Sequence, residues 1–164
     1  MIAAAWAVVI GVGNPDRGDD GVGAAVIERL GGHVPAGVRL VLNRGDPLRL
    51  FDDWAGADAA IIVDAAAMRA APGSVHRVDL CGELVPVGRL PGSSHGIGLA
   101  EAIELGRRFG SLPRRCVAYL VAAESFGLGR PLSSFVEDAL DGLVKIILAE
   151  LSDWRADAAS TALG

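Results

Sequence analysis

Three apolar stretches of strand length constrain the fold of this chain more than any other feature. They occupy residues 5–12, 59–63 and 117–122, and segments with helical spacing of apolar residues separate them. A strand without polar alternation is buried on both faces, and such strands belong mainly to parallel sheets covered by helices. The sequence therefore predicts a doubly wound α/β fold.

Weaker patterns fill the intervals between these strands. A further strand is predicted at residues 38–43. An alternating strand at residues 75–80 follows a Pro-Gly turn and is predicted to run antiparallel to its neighbour. Helices are predicted at residues 22–30, 47–54, 97–109 and 134–154.

The last predicted helix sets the boundary of the domain. Ser134 and Glu137 have the spacing of a capping box, which marks a helix start. We expect residues 1–154 to form a single α/β domain and residues 155–164 to form a flexible C-terminal tail. Proline and glycine crowd residues 82–96, where we expect a functional loop.

Composition excludes several classes of function. The formal net charge is −5 and no basic stripe is present, so we expect no nucleic-acid partner. The apolar N-terminus is short and lacks a basic leader, so we expect neither a membrane span nor a signal peptide, and a cytoplasmic location. Cys81 and Cys116 form no C-x-x-C pair and are expected to be free thiols.

Two glycine patterns resemble nucleotide-binding motifs, but each lacks residues that the motif requires. The dinucleotide fingerprint that would begin at Gly11 needs a glycine where this chain has Asp16. Gly13 and Gly18 have the spacing of a P-loop, but two aspartates replace the lysine and hydroxyl residue that should follow. We therefore expect no nucleotide cofactor.

A G-x-S-x-G pattern around Ser94 suggests a serine hydrolase. The general-base histidine of such enzymes follows the serine and the acid in sequence, whereas the last histidine here is the adjacent His95. One residue in the same turn is poorly placed to activate Ser94 while a distant acid orients it. Ser94 is therefore interpreted as a loop residue.

Three other polar residues are expected to meet at one edge of the sheet. Asp20 follows the first predicted strand, Asp64 ends the third, and His95 lies in the loop before a long helix. Ligands of open α/β sheets bind at the carboxyl ends of the parallel strands, where these residues should lie. Two carboxylates and one imidazole suit nickel, zinc, iron or manganese, and the pattern alone does not choose among them.

Three ordered motifs resemble those of the hydrogenase-maturation peptidases, which process the large subunit of nickel-iron hydrogenases. They lie at residues 11–23 (GVGNPDRGDDGVG), 61–65 (IIVDA) and 94–99 (SHGIGL). The resemblance implies a three-layer α/β fold of the phosphorylase/hydrolase-like type, with a mixed, mainly parallel five-stranded sheet flanked by helices. It also implies that Asp20, Asp64 and His95 contact nickel.

The same resemblance implies an endopeptidase that removes a C-terminal extension from the nickel-loaded precursor of the large subunit. Nickel would then arrive with the precursor rather than as a resident cofactor. Asp20 and Asp64 are the candidate catalytic residues, and either is a possible base for the attacking water. The chain departs from some relatives at residues 43–46, where a more glycine-rich turn is usual, which leaves contacts with the substrate tail open.

Two alternatives remain open at the level of sequence. A non-catalytic nickel metallochaperone or docking module would use the same three ligands and would bind nickel tightly alone. A peptidyl-tRNA hydrolase-like esterase shares the opening motif, but its histidine should come earlier than His33 and its tRNA requires a basic surface. We expect the protein to act as a monomer on the hydrogenase precursor.

Overall fold

A computed structural model describes residues 5–82 and 98–162 of the chain. The predicted functional loop therefore lies almost entirely outside the described residues, and so do Ser94 and His95. Cys81 and Cys116 are both free thiols, as expected. In the two described ranges, no helix is both long and apolar enough to cross a membrane.

Five strands form one mixed sheet in the order β2-β1-β3-β5-β4. The strands are β1 (Ala7–Val12), β2 (Val38–Asn43), β3 (Ala59–Ala66), β4 (Val75–Asp79) and β5 (Arg115–Ala122). The first four strands in that spatial order are parallel, and β4 pairs antiparallel with β5 at the edge. The predicted mixed, mainly parallel five-stranded sheet is confirmed.

Helices cover both faces of the sheet and produce three layers. They are α1 (Val22–Leu30), α2 (Leu50–Trp54), α3 (Leu99–Arg108) and α4 (Ser134–Thr161). Helices α1 and α4 pack on one face, whereas α2 and α3 pack on the other. Successive strand residues alternate between the two cores, so Ile61 faces α1 and α4 while Ile62 faces α2 and α3.

Helix α4 shows how spacing places a helix on the sheet. Its fully buried residues recur three or four positions apart, on one side of the helix. They are Val136, Leu140, Leu143, Ile147 and Leu151.

Most elements differ from their predicted bounds at one or both ends, and three of these differences concern the site and the domain boundary. Strand β3 continues three residues beyond Val63, because it stays paired with β5 as far as Ala66. Helix α4 is capped by Ser133, one residue earlier than expected, and the Ser133 hydroxyl accepts a hydrogen bond from the Val136 N–H at 3.5 Å. Residues 155–161 of the predicted tail are helical, while their mobility stays a prediction.

Candidate active site

The carboxyl ends of β1 and β3 create the site. Pairing between these parallel strands ends at Gly11 and Val63, so Asp64 is the first residue of β3 beyond it. On its other side Asp64 still pairs with Leu120 of β5. Asp64 therefore lies within β3, whereas the sequence had predicted that it ends this strand.

Asp20 reaches the same edge from the loop that follows β1. It lies in a single 3₁₀ turn, Gly18–Gly21, just before α1. Its Oδ2 accepts a hydrogen bond from the Asn14 N–H at 2.8 Å, which turns the carboxyl back toward the strand. The loop places this carboxyl against the end of β1 rather than out in solvent.

Gly13 makes this placement possible. Its φ of +122° is strained for any residue with a side chain. A Cβ built there would stand 2.9 Å from Oδ1 of Asp20 and 2.2 Å from its carbonyl oxygen. The Asp20 carboxyl therefore occupies the space that a side chain at position 13 would fill.

The Asp20 carboxylate acts electrostatically on the Asp64 carboxyl. Burial raises the pKa of Asp64 well above its usual range, and the nearby Asp20 carboxylate raises it further. A hydrogen bond from the Ala65 backbone acts in the opposite direction and is the smallest of the three effects. Asp64 as a whole residue is only partly buried.

The structure brings together two of the three predicted ligands. Asp20 and Asp64 meet at the sheet edge, while His95 lies outside the described residues. Among residues 5–82 and 98–162, no group of three or more histidine, cysteine, aspartate or glutamate side chains is arranged to hold a metal ion. The described part of the chain thus supplies a carboxyl pair, and the three-ligand set stays a prediction.

Asp19 is a site neighbour whose importance the sequence did not reveal. It is fully buried, and its carboxylate accepts four hydrogen bonds from a segment more than 100 residues away. In the sequence Asp19 departs from the P-loop pattern and is a residue type common at helix N-termini, and neither feature predicts its central place. The side chain of Glu124, in that distant segment, is exposed.

Asn43 organises the neighbouring loop, in which the chain departs from some relatives. Its carbonyl oxygen accepts a hydrogen bond from the Gly13 N–H at 2.9 Å. Its buried side chain donates to Oδ2 of Asp53 at 2.7 Å and accepts from the N–H groups of Gly45 at 3.0 Å and Asp46 at 2.8 Å. These hydrogen bonds connect the turn to the end of β1.

Comparison with known proteins decides the family. The sequence model described as hydrogenase maturation protease (HycI) matches residues 26–150, most of the chain. The chain belongs to the hydrogenase maturation protease family. Its matched region contains Asp64 and begins after Asp20, so the placement of Asp20 depends on its own motif and geometry.

Solved structures of endopeptidases share the fold. The hydrogenase maturating endopeptidase HybD from E. coli is 25% identical, with a TM-score of 0.74 over 90% of this chain and 92% of its own. An endopeptidase from Escherichia coli, solved in solution, is 24% identical, with a TM-score of 0.75 over 90% and 92%. The [NiFe] hydrogenase maturation protease HycI from Thermococcus kodakarensis KOD1 is 24% identical, with a TM-score of 0.67 over 92% and 95%.

These matches make the chain a peptidase of the hydrogenase maturation type. No curated protein sequence matches it significantly.

Proposed function

We propose that this peptidase removes a C-terminal extension from the precursor of a nickel-iron hydrogenase large subunit after nickel has been inserted. One observation carries the proposal: Asp20 and Asp64 lie together at the carboxyl edge of the sheet, close enough for Asp20 to raise the pKa of Asp64. Two neighbouring carboxyls suit both metal recognition and proton transfer.

Nickel belongs to the substrate in this proposal. The precursor presents the metal, and Asp20, Asp64 and His95 contact it and thereby place the scissile peptide bond. His95 is included among the three nickel contacts because of the motif resemblance alone. Recognition then depends on nickel that is already bound to the precursor, and unloaded precursor is left uncut.

Asp64 is our choice for the proton acceptor. Hydrolysis needs a base within hydrogen-bond reach of the attacking water, and the Asp64 carboxyl lies at the strand end where the scissile bond would be placed. Water attacks the scissile carbonyl carbon as Asp64 takes its proton, and that proton then passes to the leaving amine as the C–N bond breaks. Asp20, whose carboxyl is held by the Asn14 N–H, remains to orient the metal.

The test is processing of matched precursors in solution. The full-length protein is incubated with nickel-loaded and with nickel-free large-subunit precursor, and truncation is read by intact mass. We expect loss of a C-terminal peptide from the loaded form only. Absence of cleavage together with tight nickel binding by the protein alone would favour the metallochaperone alternative.

Single substitutions test whether processing depends on the Asp20 and Asp64 carboxyls and not on a nearby acidic residue. We expect Asp64→Asn to slow processing by about 10²- to 10⁴-fold, the range for loss of acid–base catalysis. Asp20→Asn should also slow processing, because it removes a proposed contact with the metal. Asp16→Asn is the matched control, because Asp16 is exposed and lies in the same loop as Asp20. Processing by either site variant at the rate of the control would contradict the assignment.

A further inference from the structure

A junction between two loops holds the residue before Asp20. Oδ2 of Asp19 accepts hydrogen bonds from the N–H groups of Glu124 at 2.8 Å and Ser125 at 3.2 Å, and from the Ser133 hydroxyl at 2.9 Å. Oδ1 accepts from the Ser133 N–H at 2.7 Å. Four donors thus converge on one fully buried carboxylate.

Backbone contacts extend the same junction. The Asp19 N–H donates to the Ser125 carbonyl oxygen at 2.9 Å, and the Gly18 N–H donates to the Arg130 carbonyl oxygen at 2.9 Å. The Gly129 N–H donates to the Asp16 carbonyl oxygen at 2.7 Å. The loop after β1 is therefore fastened along its length to the segment between β5 and α4.

The junction admits no side chain at its closest point. Gly18 has a φ of +56°, and a Cβ built there would lie 2.7 Å from the Ser125 carbonyl oxygen. The two backbones approach to a distance that requires glycine. The loop after β1 and the segment between β5 and α4 are therefore expected to move together.

A carboxylate is required at the centre of this junction. It is an acceptor at both oxygens, whereas the amide of asparagine presents donors on one side. In Asp19→Asn the NH₂ group would face either the Ser133 N–H group or the N–H groups of Glu124 and Ser125, and in both orientations at least one buried donor would lose its acceptor. The isosteric change would loosen the junction without creating a cavity.

We propose that Asp19 is a positioning residue for the peptidase reaction: it fixes the loop so that the adjacent Asp20 carboxyl stays beside Asp64. The inference rests on the proposed function, since Asp19 acts only through Asp20. The core between α1, α4 and the sheet is built from apolar contacts that do not include Asp19. Loss of the junction should therefore impair catalysis more than folding.

The experiment compares rate and binding in the full-length protein with nickel-loaded precursor. We expect Asp19→Asn to lower the processing rate at saturating precursor by about 10- to 100-fold, the range found when supporting partners of a metal site are removed. The half-saturating precursor concentration should stay within about threefold, because the remaining precursor contacts are unchanged.

Leu151→Ala is the control for stability. Leu151 is fully buried in α4 far along the chain from the junction, so its truncation destabilises the fold without touching the loop. At a temperature where both variants are folded, Leu151→Ala should process at nearly the wild-type rate. A loss equal to that of Asp19→Asn would overturn the inference, as would an Asp19→Asn rate within threefold of wild type.

Ser133 provides a milder test should Asp19→Asn fail to fold. Ser133→Ala removes one of the four hydrogen bonds to Asp19 together with the hydroxyl that caps α4, and Ser133→Thr retains the hydroxyl for both. We expect a smaller loss of rate in the alanine variant and recovery in the threonine variant; equal rates in the two would refute the positioning role. Failure of the wild type to cleave refutes the proposed function, whereas cleavage by wild type and variant alike refutes only the role of Asp19.

Discussion

At the scale of single residues, Asp64 should oppose folding at neutral pH. Its pKa is raised in the folded state by burial and by Asp20. As pH rises above the unfolded value, about 3.9, the unfolded chain ionises first and the folded chain still holds the proton. Stability is therefore fully present below that pH and is lost as pH rises toward the folded pKa.

Asp64→Asn should consequently stabilise the metal-free protein. We expect a higher midpoint of thermal unfolding than wild type at pH 7 and a difference that vanishes near pH 3, measured with chelator present. Asp58→Asn is the control, because Asp58 is exposed and immediately precedes β3 at its other end. An Asp64→Asn variant less stable than wild type at pH 7 would show that the carboxyl is not held in a destabilising position.

Two of the three acidic residues at the site could be predicted from the sequence, and the third, Asp19, could not. Asp20 and Asp64 were found because each lies next to an apolar strand and the carboxyl ends of parallel strands share one edge. Asp19 carried no such signal, since its hydrogen-bond partners are 105 to 114 positions away. Burial of a polar group by distant donors is a tertiary property that local patterns do not encode.

At the scale of elements, the predictions were correct in the centres and wrong at the ends. Strand β2 has the predicted bounds, whereas β3 runs on to Ala66. Pairing with β5, rather than the apolar run, determines where β3 ends. The cap of α4 shifted by one residue because Ser133, unlike Ser134, bonds both to Val136 and to Asp19.

The last turns of α4 allow a direct test. Beyond Trp154 the helix is exposed, and Asp157 forms an ion pair with Arg115 at 3.2 Å, with Asp157 64% exposed. Exposed pairs contribute about 0–1 kcal/mol. We expect truncation after Trp154 to lower the free energy of unfolding by less than about 1 kcal/mol, measured by urea titration. A larger loss would mean that residues 155–164 belong to the domain. Trp154→Ala in the full chain is the comparison variant, and it should lower the free energy of unfolding by more than the truncation does, because Trp154 packs against the core.

At the scale of the whole molecule, the sheet joins two cores into one cooperative unit. Alternate residues of the same strand serve opposite faces, as Ile61 and Ile62 do in β3. One core therefore cannot come apart without disrupting the strands that form the other. The two site carboxyls depend on the same packing, because Asp64 lies in β3 and Asp20 lies directly before α1.

Trp54 can report whether this coupling holds. It is buried in the core of α2 and α3, and Trp6→Phe/Trp154→Phe leaves it as the single tryptophan. In that background Leu140→Ala, which removes a buried side chain from the opposite core, should destabilise by about 2–5 kcal/mol. We expect Trp54 fluorescence and far-ultraviolet circular dichroism to shift to the same lower urea midpoint, while Leu48→Ala, at a 56% exposed position, shifts neither. The contrary result would be an unchanged urea midpoint for Trp54 fluorescence together with a circular dichroism transition in two steps. It would show that the two faces of the sheet unfold separately, because Leu140→Ala would then destabilise only the core that contains Leu140.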